Sequence, residues 1–157
     1  MANPLKLLKL KATGFQFIEE IHIDANPKKV WAAVTNPGKW FGFDPDPKKW
    51  NKHTMDVTPG GKWISTAKDG TTFMLATVTY IEPGKLLRLI GQIGMTHLPV
   101  SNVFIFELQP QKAGKATLLR LGQRTFGFGD ADLEERIHGA WKKLLPNIKT
   151  AAEKRSR

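Results

Sequence analysis

The stretch DADLEERIHGAWKKLLPNIKTAAEK, residues 130–154, places Leu133, Ile137, Trp141, Leu144, Ile148 and Ala151 at steps of three or four. That spacing gathers the apolar side chains on one face, so one long amphipathic helix is predicted over 130–154. Asp130 is read as its N-cap, since a carboxylate there can accept from the free amides of the first turn. Asp132, Glu134 and Glu135 fall at the positive end of the helix dipole, and Lys142, Lys143, Lys149 and Lys154 lie in its middle and negative end. Pro146 lacks an amide donor and crowds the carbonyl four residues back, so a bend is expected there. Burying such a stripe stabilises by on the order of 10 kcal/mol, and a partner surface must cover it.

That surface is to be found upstream, where nearly everything reads as strand. Phe15 to Asp24 alternates as a half-buried strand, with Phe15, Phe17, Ile21 and Ile23 in one phase and Glu19 in that same phase. Asn26-Pro27 opens a short helix whose inner face is Val30, Trp31 and Val34. From Lys39 to His53 the periodicity fails, and Trp40, Phe41, Phe43 and Trp50 suggest a self-packed loop or the lid of a pocket. Strands then follow at Lys62 to Thr66, Thr72 to Glu82, Leu86 to Gly91, Val100 to Leu108 and Ala116 to Thr125, separated by short Gly, Pro and Asp turns. Such a meander is antiparallel, and with a long helix laid on it the class is α+β in two layers.

At 157 residues one domain is expected, residues 1–157 with its core at about 15–153. A hydrophobic content of 41% against 24% charged residues argues against global disorder. With no cysteine, disulfides, thiolate metal sites and a cysteine nucleophile are excluded. Leu5, Leu7, Leu8 and Leu10 are interrupted by Lys6, Lys9 and Lys11, which is not a secretory signal, and no membrane-spanning run is present; a cytoplasmic protein is expected. The net charge of +10 is read as solubility charge, because no basic run is interleaved with aromatics, and nucleic-acid binding is not expected.

Several motifs occur in a joint order. Asp24-Ala25-Asn26-Pro27-Lys28-Lys29-Val30-Trp31 follows the first strand, then come Asn36-Pro37 and Trp40, Pro59-Gly60-Gly61-Lys62-Trp63, Asp69-Gly70, and Tyr80-Ile81-Glu82-Pro83-Gly84-Lys85-Leu86-Leu87. Phe104 to Pro110, Gly139, Trp141 and Leu144-Leu145 complete the series. Together they resemble the START-like (SRPBCC, Bet v 1-like) superfamily, nearest to its polyketide cyclase/dehydrase-like group and to homologues of the chaperone-ATPase activator domain. Ala140, between Gly139 and Trp141, departs from the usual pattern. The resemblance implies a helix-grip fold: a curved seven-stranded antiparallel sheet around the C-terminal helix, two short helices after strand 1, and a cavity between. It also implies lipid, polyketide-like or aromatic ligands in some members, cyclase or dehydratase chemistry in others, and contacts with proteins or RNA elsewhere. No obligatory cofactor is implied.

The leading expectation is a binder of a small, largely apolar molecule between sheet and helix. Phe17, Trp40, Phe43, Phe104 and Trp141 would form the apolar wall, with Glu19, His97 and Gln123 as polar anchors and Met95 at the mouth. Gln123 and Thr125 share the inward phase of Leu119 and Leu121, while Arg120 and Arg124 take the outward one. Glu19, aimed inward, is the candidate for proton transfer in an enzymatic alternative. A third alternative is a basic module docking on a protein or RNA. The histidines lack metal-ligand spacing, so no metal site is expected.

Overall fold

The computed structural model describes residues 5–42 and 49–155. Its elements in chain order are β1 (Lys11–Ile23), α1 (Pro27–Val34), a 3-10 turn (Pro37–Lys39), β2 (Trp50–Met55), β3 (Lys62–Ala67), β4 (Thr72–Glu82), β5 (Leu86–Gly91), β6 (Val100–Gln111), β7 (Ala116–Gly129) and α2 (Leu133–Glu153). The strands form one seven-stranded sheet in the order β1-β7-β6-β5-β4-β3-β2, antiparallel throughout. Only β1 is out of sequence order: the first strand closes against the last. The helix-grip α+β architecture is therefore present. Among the described residues no helix is long and apolar enough to cross a membrane.

The apolar stripe of α2 does what its spacing dictates. Leu133, Ile137, Trp141, Leu144 and Ile148 are all buried, at 4% exposure or less, and are joined by Leu145 and Ala152. They meet the inward rows of β6 and β7, where Phe104, Phe106, Leu119 and Leu121 have no exposed surface. Ala151, assigned to the stripe from its spacing, is half-buried beside Ala152. The helix runs on through Pro146, whose ring is exposed.

Three features differ from expectation. Helix α2 starts at Leu133, with Asp132 at the cap position and making no side-chain cap bond. Asp130 instead accepts two hydrogen bonds from Arg136 Nη1, at 3.0 and 2.9 Å, a charge-assisted contact. After β1 there is one short α-helix, and the second is only a single 3-10 turn that Pro37 begins. Finally, β2 occupies ground read as loop. Its register shifts between Trp50 and Lys52, and a bulge of this kind breaks the period-two pattern that identifies a strand.

Helix α1 starts where the sequence says: the Asn26 side chain accepts from Lys29 N at 2.9 Å and Pro27 stands at the first turn. The approach to α2 depends on Gly127. Its φ is +132°, and a Cβ there would lie 2.3 Å from the carbonyl oxygen of Pro99, which only glycine avoids.

Candidate functional site

Inside the grip, alternation along β7 turns Gln123 and Thr125 inward, and both are buried. They do not stand free. Trp141 Nε1 donates to Gln123 Oε1 at 2.6 Å, and Gln123 Nε2 donates to Asn102 Oδ1 and Thr125 Oγ1, each at 3.1 Å. Thr125 Oγ1 donates to Asn102 Oδ1 at 2.7 Å, and Asn102 Nδ2 to the Gly91 carbonyl at 2.9 Å. This chain of bonds ties α2 to β7, β6 and the end of β5. A buried polar network is tolerated when its members are satisfied, as these are.

Around it the interior is aromatic. Trp141 makes edge contact with Phe106, their centroids 5.7 Å apart, and is tilted against Phe104 at 6.2 Å and Trp40 at 6.5 Å. Trp40 donates its indole N–H to the Ala33 carbonyl at 2.9 Å and leans on Trp63 at 5.6 Å. The void beside Trp141, lined by Ile93, Met95, Ile137, Ala140 and Leu144, measures about 10 Å³. That is room for about one water among apolar walls. Among the described residues, this void beside Trp141 is smaller than the ligand-sized space expected there. Among the buried side-chain polar atoms of the described residues, Trp63 Nε1 is the one without a hydrogen-bond partner.

At the seam between β1 and α2 a second cluster forms. Glu19 faces α2, as its phase predicts, and its Oε1 is hydrogen-bonded to His138 Nε2. The side chains are 23% and 36% exposed respectively, so the pair sits at a rim and not in bulk solvent. Phe17 stacks on the His138 ring with centroids 4.3 Å apart. A carboxylate hydrogen-bonded to an imidazole can hold or pass a proton, and the aromatic ring fixes the imidazole plane.

The remaining candidates scatter. Met95 is buried on the wall of the small void, whereas His97 is exposed. Phe43 lies outside the described residues. His53, isolated in sequence, has Nδ1 2.7 Å from Ser65 Oγ and packs against Phe41, and burial holds its pKa below the usual histidine value. Three participants were not singled out from sequence: Asn102, Trp63 in its role as unpaired donor, and His138. Asn102 carried a signal, since it lies in the inward phase of Val100, Phe104 and Phe106. His138 carried none, because its partner is 119 residues away.

Comparison with solved structures places the fold widely. An uncharacterised protein from Rhizobium leguminosarum superposes with a TM-score of 0.72 at 19% identity, covering 93% of this chain and 99% of the other. A Staphylococcus aureus protein of unknown function gives 0.68 at 12%, covering 91% and 96%. A Thalictrum norcoclaurine synthase point mutant, in complex with a transition-state analogue, gives 0.59 at 10%, covering 90% and 96%. At these identities the likeness is one of fold. No curated protein matches the sequence significantly. The family model described as activator of Hsp90 ATPase homolog 1-like protein matches residues 24–153, spanning the grip from α1 to the end of α2, and the chain belongs to that family.

Proposed function

We propose that the protein binds a small, largely apolar molecule bearing one acceptor oxygen in the aromatic interior between sheet and α2. The observation that carries this reading is the Trp63 indole N–H. An unpaired buried donor costs about 1–3 kcal/mol, and an acceptor brought in by a ligand would recover it. The surrounding rings of Trp40, Phe41 and Phe104 suit an aromatic or lipid-like body. A ligand seated in the small void that the described residues leave beside Trp141 would have to displace side chains, and binding there should be slower than diffusion.

A titration with Prodan, a neutral naphthalene ketone, tests this against phenylnaphthylamine, which has similar rings but no carbonyl. Prodan should quench the tryptophans saturably, and Trp63→Phe should weaken it about fivefold, the worth of one hydrogen bond, with little change for the amine. Absence of saturable uptake of either probe, by fluorescence and by native mass spectrometry, would sink the reading.

A second reading, proton transfer by Glu19 on the bound molecule, is favoured by the Glu19–His138 contact. If it is right, Glu19→Gln should retain Prodan uptake while abolishing any conversion that native protein carries out on a carbonyl or polyketide-like compound. Conversion that survives in the variant would remove Glu19 from the chemistry.

A further inference from the structure

The opposite face of the sheet carries a groove of about 520 Å³, within the usual range for small-molecule sites. Its origin is a row across three strands. Gly122 of β7 pairs with Ile18 of β1 on one side and with Ile105 of β6 on the other, so two branched apolar side chains flank a position with none. Ile18 is 59% exposed, so its side chain is available as an apolar wall of the groove. Leu86 of β5 extends the apolar lining.

The two ends of this notch differ in charge. At one end Arg120 donates from Nε to Glu20 Oε1 and from Nη1 to Glu107 Oε2, both at 2.8 Å. Two carboxylates on one guanidinium leave that end with net charge −1. At the other end Arg124, exposed and opposite Gln16, has no ion-pair partner among the described residues. The groove is thus an apolar trough with an unspent cation at one end and a surplus anion at the other.

We propose that this outer groove is a second binding site, for a small amphipathic anion whose aromatic or aliphatic body lies over Gly122 between Ile18 and Ile105 and whose carboxylate or sulfonate pairs with Arg124. The surplus charge around Arg120 sets the orientation, because it repels an anion from that end. The site lies on the other side of the sheet from the aromatic interior, although the strand positions of Phe17 and Gln123, whose side chains turn to that interior, also line it.

The probe is anilinonaphthalene sulfonate, with phenylnaphthylamine as its uncharged counterpart. The sulfonate should bind the native protein with one saturable site. Gly122→Val, which fills the trough at a position where a Cβ has only Ile105 Cβ at 4.0 Å, should weaken it roughly tenfold. Arg124→Glu should do the same while leaving the uncharged amine unaffected, and Glu107→Gln should tighten the sulfonate about twofold. Trp63→Phe should change nothing, which separates this site from the interior one. Unaltered sulfonate affinity in Arg124→Glu, with far-ultraviolet circular dichroism confirming a folded variant, overturns the proposal, as does loss of the sulfonate in Trp63→Phe.

Discussion

Trp141→Ala is expected to cost about 5 kcal/mol of stability, measured by urea unfolding followed by circular dichroism. Two contributions combine. The side chain is 1% exposed and meets Trp40, Phe104 and Phe106, so its removal leaves a cavity that these bulky aromatic neighbours cannot readily close. Its N–H also satisfies Gln123 Oε1, an acceptor that would be left buried and unpaired. Trp141→Phe separates the two: most of the ring is kept, the donor is lost, and a cost of about 2 kcal/mol is expected. Since small domains have about 5–15 kcal/mol in total, the alanine variant should be near the edge of folding at room temperature. A loss below about 2 kcal/mol for alanine would mean that Trp141 is not a core residue at all.

The second large effect comes from a pair of glycines that sequence cannot tell apart. A Cβ on Gly91, at the end of β5, would stand 2.2 Å from the Leu75 carbonyl oxygen and 2.6 Å from Ala76 Cα, both backbone atoms of the neighbouring strand. Gly91→Ala must therefore push β4 and β5 apart. It would also disturb the carbonyl that holds Asn102, so the strain reaches the network around Gln123. A loss of about 3 kcal/mol or more is expected. Gly122→Ala meets nothing closer than 4.0 Å and should be neutral or stabilising by about 0.5 kcal/mol, because alanine has less freedom to lose on folding. Equal melting temperatures for the two variants would contradict the close approach at Gly91.

What sequence could and could not show follows from the range of each signal. Helix periodicity and strand alternation are local, so the α2 stripe, the inward turn of Glu19, Gln123 and Thr125, and the outward turn of Arg120 and Arg124 were all legible. The partners were not. Glu19 reads as a lone carboxylate until the fold brings His138 to it, and Gln123 reads as a free anchor until Trp141 and Asn102 are seen to consume its hydrogen-bonding capacity. Asp130 failed for a related reason, since a cap signal says nothing of an arginine six residues on. The volume of the space beside Trp141 is a property of how large side chains on several elements interdigitate, and no periodicity encodes it.

The out-of-order placement of β1 has a consequence during synthesis. Lys11–Ile23 pairs only with β7, from Ile23 opposite Thr117 to Lys11 opposite Gly129. A ribosome adding about 5–20 residues per second therefore leaves the first strand without its partner for roughly 5–20 seconds, while about a hundred further residues emerge. Throughout that interval Phe15, Phe17 and Ile21 are uncovered on a strand with both edges open, a template for pairing with another chain. Glu19 and Glu20, in the middle of that strand, put charge on both its faces while it waits. Charge in the middle of an unpaired strand disfavours pairing with another chain, so the carboxylate that ends at the rim beside His138 opposes such pairing before the grip closes.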